Sequence, residues 1–331
     1  MVAVATRDLS RHYGKIQAVN QLNLKIPTGS LFGLIGPNGA GKTTTLRMLA
    51  GLLEPSSGDI RLNELSQKQY WREIQWQIGY MPDFFGVYDN LLVWEYLDFY
   101  ARCYRLTPER RARAISDLLD LVDLGEKRDV YVHTLSRGMR QRLCLAHALV
   151  HDPQILLLDE PASGLDPRAR VEMRMLLREL QSMGKTILLS SHILVELAEL
   201  CDQVAIMERG QLVVSGAIDE VLRKAAGRRT IAIQVLNDPG CNSTPDRAIA
   251  LLEQIPSVQN IFPQDRVVAA TPGSSGGLGI TSIEIEFYGD EFARADLLEK
   301  LVSDKIRVAA FNETITNLEE AFLRLTQGEV G

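Results

Sequence analysis

No apolar run in this sequence approaches the roughly 20 residues that a helix needs to cross a bilayer, so nothing in it reads as a transmembrane segment. Its longest uncharged stretches are rich in Gly, Ser and Pro. An excess of positive charge is missing as well: 36 Lys and Arg stand against 42 Asp and Glu. Up to Ala225 there are 27 residues of each sign, and from Ala226 onward 9 basic and 15 acidic, so the whole imbalance lies in the tail. No basic stripe is visible, and a nucleic-acid partner is not expected. Cysteine is scarce and scattered. Cys103, Cys144, Cys201 and Cys241 have no metal-knuckle spacing and read as buried free thiols in a reducing compartment. The start MVAVATRDLS lacks a basic stretch followed by a long apolar core, which predicts no secretory signal. Internal repeats and sustained heptads are also absent.

What is present is an ordinary globular composition, 46% hydrophobic and 24% charged over 331 residues, a length that suits one large domain and a smaller one. SLFGLIG (Ser30 to Gly36), QILLLDEP (Gln154 to Pro161) and KTILLSSH (Lys185 to His192) read as buried strands. QVAIMERGQLVVSG reads as a hairpin turning at Arg209-Gly210. Strands alternating with helices predict an α/β core with a mainly parallel sheet. Between Leu91 and Leu149 the strand signal gives way to helical spacing over Leu91 to Tyr104, Thr107 to Val122 and Arg137 to Val150, an inserted helical subdomain of about 84–150. The first domain is placed at 1–225. Residues 226–331 read as a small α+β domain, with strands in TIAIQVL and SIEIEFY, helices in DRAIALLEQI, EFARADLLEKLV and ITNLEEAFLRL, and a flexible loop at TPGSSGGLGIT.

Three stretches carry chemistry. GPNGAGKTT (Gly36, Pro37, Asn38, Gly39, Ala40, Gly41, Lys42, Thr43, Thr44) fits G-x-x-x-x-G-K-[ST] between a strand and a helix. Its glycines let backbone N–H groups turn toward phosphates at the positive end of the following helix. Lys42 is placed to reach the β- and γ-phosphates of ATP, and the Thr43 hydroxyl to bind Mg²⁺. In LLLDEP, Asp159 ends a buried strand where it can hold Mg²⁺ through water, and Glu160 can face an attacking water. In LSRGMRQR, Ser136 stands at an N-cap position with Gly138 beside it, a second anion site separate from the first.

Over roughly Val2 to Leu222, the chain resembles the ATP-binding subunits of ABC transporters, a P-loop NTPase fold with a helical subdomain. LSRGM is similar to that family's LSGGQ-like signature, which closes over ATP held by another subunit. The resemblance implies that Tyr13 stacks on adenine, that SGLD with Asp166 bridges two subunits, and that His192 contacts the γ-phosphate. It makes Glu160 the catalytic base, with Lys42 and the partner's signature positioning the phosphates. It further implies a transmembrane permease subunit, contacted through Phe84 to Tyr88 and the helical subdomain, and a second nucleotide-binding subunit in a homodimer. A peripheral location on the cytoplasmic face of the cell membrane follows. TNLEEAFLRLTQG resembles the extension of export-type subunits, which makes the tail a dimer-stabilising or regulatory element. A soluble ABC protein acting on RNA or ribosomes is a rival, but such chains normally carry two nucleotide domains and basic surfaces. A chromosome-type ATPase needs a long coiled coil where only about 90 residues intervene. The third alternative is a regulatory module that holds ATP with little hydrolysis.

One residue departs from the family pattern. MPDFFGVYDNL aligns without a gap on a stretch in which a glutamine occupies the position of Asp83. A carboxylate about 4 Å from a γ-phosphate costs on the order of 4 kcal/mol at an effective dielectric of 20, whereas doubly charged Mg²⁺ reverses the sign. The expectation is that Asp83 meets Mg²⁺ through water and tunes metal dependence without abolishing turnover.

Overall fold

The computed structural model describes residues 1–83, 86, 88, 90–193, 197, 199–218, 220–221, 229–237, 245–264, 279–289 and 291–314. Phe84, Phe85 and Val87 of the expected partner contact, the expected helix ITNLEEAFLRL and most of the TPGSSGGLGIT loop lie outside the described residues. The chain divides into two compact units, Met1–Val221 and Leu222–Gly331.

The first unit is built on a six-stranded sheet. Its strands are β4 (Leu31–Ile35), β7 (Ile78–Met81), β8 (Ile155–Asp159), β9 (Thr186–Ser191), β10 (Gln203–Glu208) and β11 (Gln211–Ala217), in the order β11-β10-β4-β9-β8-β7. All neighbours are parallel except β10 and β11. Every residue of β4, β8 and β9 is buried, as continuous apolar strands covered on both faces must be. The β10–β11 hairpin turns on Arg209 and Gly210, both at positive φ (47° and 79°), the combination a tight I′ turn requires. The register matters most for function. Ile35 pairs with Ser191, Asp159 with Ser190 and Met81 with Leu158. The segments that leave the carboxyl ends of four parallel strands therefore emerge side by side, the position where open α/β sheets bind ligands.

A second sheet is antiparallel. It comprises β1 (Val2–Tyr13), β2 (Ile16–Leu22), β5 (Ser57–Leu62) and β6 (Leu65–Ser66) in the order β2-β1-β5-β6, with β3 (Lys25–Pro27) also on β1. Sequence periodicity missed it because β1 shifts register between Leu9 and Arg11. Such a shift moves a side chain to the opposite face and breaks the alternation.

The helical segment contains α3 (Val93–Cys103), α4 (Pro108–Leu121) and α5 (Arg137–Leu149). In α3, Val93, Tyr96, Leu97 and Ala101 are buried at helical spacing. The α4 helix starts at Thr107, whose side chain accepts from Arg110 N, followed by Pro108 at the first position. One ring stack joins α3 to α5, Tyr100 with His147 at 3.6 Å, and a second joins the residues just past the two helices, Tyr104 with His151 at 3.8 Å. Burial lowers the His147 pKa to about 4, with the charge of His151 adding to it. Helices α1 (Lys42–Leu49), α2 (Trp71–Gln75) and α6 (Pro167–Ser182) also belong to this unit.

The second unit runs β12 (Arg229–Asn237), α7 (Pro245–Leu252), β13 (Val258–Gln264), β14 (Gly279–Phe287), α8 (Glu291–Ser303), β15 (Val308–Thr314). Its antiparallel sheet has the order β13-β14-β12-β15, which is a βαββαβ split arrangement. Ile231, Ile233 and Val235 of β12 pack with Ile283, Ile285 and Phe287 of β14 and with Leu252, Leu297 and Leu301.

Candidate functional site

The loop between β4 and α1 is the centre of the site. Gly41 caps α1 with φ at 100°, and a Cβ there would also sit 2.5 Å from Ala18 O. Only glycine meets both demands. The hairpin tip braces this loop from the other side: Gly210 N donates to Ala40 O at 3.0 Å, and Asn20 N donates to Gly210 O at 2.8 Å. Lys42 is 6% exposed and its Nζ donates to Gly36 O at 2.6 Å and to Pro37 O at 3.3 Å. The ammonium is thereby held over the loop.

Asp159 is 1% exposed. Its Oδ1 accepts from Thr43 Oγ1 at 3.1 Å and from Ser190 Oγ at 2.7 Å. Ser190 in turn accepts from Glu160 N at 3.0 Å. One buried hydroxyl on β9 therefore fixes both members of the carboxylate pair on β8. The chain turns sharply after Asp159: Glu160 has φ at 52°, a left-handed conformation that costs a non-glycine residue about 1–3 kcal/mol and marks strain held at a site. The turn sends the Glu160 side chain to Lys42 Nζ at 3.6 Å and His192 Nδ1 at 2.9 Å. His192 follows directly after β9 and is half exposed.

These groups face one cavity of about 440 Å³, lined by Pro37 to Thr44, Asp83, Glu160, His192, Ala18 and Ser163. Asp83 is thus on the same wall system as Lys42 and Thr43. The Tyr80 hydroxyl lies nearby; burial raises its pKa first, and the negative charge of Asp159 adds to it. Tyr13 is placed otherwise. It is 44% exposed at the end of β1, with the Arg11 guanidinium 4.9 Å from its ring centre, and it is not among the residues lining the cavity.

Ser136 caps α5 and its Oγ accepts from Met139 N at 3.3 Å. With Gly138 and Asp166 it lines a separate cavity of about 490 Å³, bordered by Arg137, Arg142 and Arg168. The two cavities have no lining residue in common. Arg137 ties this region to the segment after β8 by donating to Ser163 O at 3.1 Å, and Gln141 donates to Pro161 O at 2.5 Å. Sequence reasoning missed Ser190, although it stands in the same SSH that singled out His192.

A family model described as ABC transporter matches residues 19–163. An ABC transporter ATP-binding protein of Synechocystis is 38% identical over 219 residues, 66% of this chain and 61% of that relative's length. The Nod factor export ATP-binding protein I of Burkholderia orbicola is 38% identical over 227 residues, 69% of this chain and 75% of the relative. A solved structure of an ATP-binding subunit of an ABC transporter is 30% identical with a TM-score of 0.61, and the match covers 67% of this chain and 92% of that one.

Proposed function

Because the chain belongs to the ABC transporter family of ATP-binding proteins, we propose that it is the ATP-hydrolysing motor subunit of an export system, acting in pairs against a separate membrane-spanning partner. The observation that carries this reading is the linked set Lys42–Glu160–His192 beside the Thr43–Asp159 pair, all at the carboxyl ends of parallel strands.

The chemistry follows from these positions. The N–H groups of the loop and the start of α1 receive phosphate oxygens, and Lys42 reaches the β- and γ-phosphates. Glu160 accepts a hydrogen bond from the attacking water, orients it for in-line displacement at the γ-phosphate and takes its proton, while the bond from the γ-phosphorus to the bridging oxygen breaks and ADP leaves. His192, bonded to Glu160, keeps that carboxylate aimed and presents its ring edge to the same phosphate. The oxygen donors Thr43 Oγ1 and Asp159 Oδ1 suit Mg²⁺, a hard cation that takes few protein ligands and keeps several waters. Mg²⁺ would supply charge neutralisation to the phosphates when bound, with Thr43 and Asp159 holding it and Asp83, on the wall of the same cavity as Thr43, acting on it through water. Most of the rate acceleration is electrostatic positioning.

The signature cavity is the second half of the reading. Ser136 and Gly138 line no part of the phosphate cavity of their own chain, so they act on ATP held by another copy, with Asp166 at the bridge between copies. Tyr13 provides an exposed ring for adenine. Residues 1–225 form the motor, and 226–331 an accessory unit that stabilises or regulates the pair. The export direction draws support from the relative named for Nod factor export. No helix among the described residues is long and apolar enough to cross a membrane; in this reading the pore belongs to the partner and this chain sits peripherally on the cytoplasmic face. Tyr88 and Phe99, both exposed and edge to face at 5.6 Å, supply apolar surface for that partner next to the helical segment.

Glu160→Gln is the test. It should bind ATP without cleaving it, and light scattering should then show an ATP-dependent doubling of mass. A variant that still hydrolyses ATP at the unsubstituted rate would overturn the role of Glu160. A mass that stays monomeric with ATP bound would overturn pairing of identical chains.

A further inference from the structure

One short loop forms part of both cavities. It leaves β8 through Glu160, sets Ser163 on the wall of the phosphate cavity, and sets Gly164, Leu165 and Asp166 on the wall of the signature cavity. Ser163 N donates to Glu160 O at 3.0 Å, which closes a turn on the left-handed Glu160. Side chains of the neighbouring helices take the loop's next carbonyls. Gln141 of α5 donates to Pro161 O at 2.5 Å, Arg137 of α5 to Ser163 O at 3.1 Å, and Arg170 of α6 to Leu165 O at 2.9 Å.

Of these three side chains, only Arg137 also lines the signature cavity, where it stands exposed between Ser136 and Gly138. The other arginines on that cavity are paired with carboxylates: Arg142 with Asp123 and Glu172, and Arg168 with Glu172. No ion pair joins Arg137 to another described residue. A guanidinium has five N–H donors, and the bond from Arg137 to Ser163 O uses one of them. Its charge and its other donors are therefore open to an anion in the cavity. The guanidinium lies close against Gly164. A Cβ at that glycine would sit 2.4 Å from Arg137 Cζ and Nη2.

We propose that Arg137 is the residue through which the signature cavity acts on Glu160 of its own chain. One donor holds Ser163 O, and the rest of the guanidinium receives the phosphate that another copy presents, so the loop behind Glu160 is fixed when that phosphate arrives. The planar fork suits this task, because it can serve a carbonyl and a phosphate at once. Arg137 is a positioning residue: it reaches the water-activating carboxylate only through the loop. The inference rests on the reading that two copies meet across ATP. Its consequence is that hydrolysis in one copy depends on nucleotide in the other, which makes the rate cooperative in ATP.

The test follows steady-state hydrolysis against ATP concentration on the full-length chain, with ATP affinity measured separately by calorimetry. The unsubstituted chain should show a Hill coefficient clearly above 1. Arg137→Met keeps a stem of similar bulk and removes the charge and the donors. It should lower kcat about tenfold, change ATP affinity less than about twofold, and bring the Hill coefficient to about 1. Arg137→Lys should recover part of kcat, since it keeps the charge and loses the fork. Gly164→Ala pushes the guanidinium off the loop from the other side. It should lower kcat about fivefold alone and less than about twofold when Arg137 is already Met, because two changes that act through one contact are not additive. Gly164 has φ at 68°, and the strain of an alanine there is the same in both backgrounds, so it drops out of the comparison. A Hill coefficient unchanged by Arg137→Met, an unsubstituted chain with a Hill coefficient of 1, or equal losses from Gly164→Ala in both backgrounds each overturn the inference and leave the ATPase reading standing. A folded unsubstituted chain that does not hydrolyse ATP overturns both.

Discussion

The first unit contains two helix starts that border cavities, and they are built differently. At α1 the chain supplies everything locally: a glycine loop with left-handed turns, a buried lysine, and two carboxylates reached across the sheet. At α5 it supplies a serine hydroxyl that already caps its own helix, a glycine, and a border of arginines tied to acidic neighbours such as Asp123 and Glu172. In the proposed reading the first is a phosphate site built within one chain, and the second is an open face that meets the nucleotide of another copy. The difference teaches how, on that reading, a single chain could bind a nucleotide and yet depend on a second copy for the reaction.

The comparison can be broken most forcefully at Lys42. Lys42→Ala should lower nucleotide affinity by at least about a hundredfold, because it removes a buried cation and strands Glu160 beside the phosphates. Calorimetric titration with ATP measures it, and an affinity within a few-fold of the original would mean that the α1 site is not self-sufficient. Ser136 gives the opposite profile. Ser136→Ala should leave binding to the single chain within about twofold, reduce steady-state hydrolysis by a factor of at least about 10, and cost roughly 1 kcal/mol of stability through the lost cap. Ser136→Asn keeps the cap, so a hydrolysis defect shared by both variants with stability lost only in the first separates the two roles of the hydroxyl. A fall in binding equal to the fall in hydrolysis would show that the two helix starts serve one site within the chain.

The smallest effect is set by pH and acts on α5 alone. His147 is neutral and stacked on Tyr100, with its pKa lowered to about 4. The unfolded chain therefore binds more protons than the folded one between about pH 6.5 and 4, and stability falls as the pH drops through that window. At pH 5.5 the loss is about 1.4 kcal/mol. His147→Phe keeps a flat ring against Tyr100 and should remove that part of the acid slope. Hydrogen exchange should show α5 losing protection in mild acid before α1 does, and equal loss in both helices would mean that His147 does not anchor α5 selectively.

What the sequence made legible was contiguous. The phosphate loop and its Lys42 and Thr43, the Asp159–Glu160 pair and the capping Ser136 each lie within a short stretch whose local geometry follows from residue type. The link from Glu160 to His192 was readable only through a family resemblance, because 32 residues separate them. Ser190 escaped notice for a physical reason: its role arises from the β8–β9 register, which pairs it with Asp159, and a register is a long-range fact. The same holds for the antiparallel sheet around β1 and for β13 and β15 of the second unit, whose patterns declare a strand weakly and its neighbours not at all. Tyr13 stands at the end of β1, exposed and outside the phosphate cavity, with the Arg11 guanidinium 4.9 Å from its ring centre; its spacing before the loop says nothing of that neighbour.

The bond from Gly210 N to Ala40 O has an implication for the order in which the protein comes into being. The strand that leads into the phosphate loop is flanked by β9 and β10, both made more than 150 residues later. A nascent chain that has not yet released Gly210 from the ribosome has synthesised the whole phosphate loop without the brace that shapes it. Closing such distant contacts late is slow and leaves strand edges open in the interim. A nucleotide bound at this loop would therefore add stability chiefly to chains in which the brace has already formed.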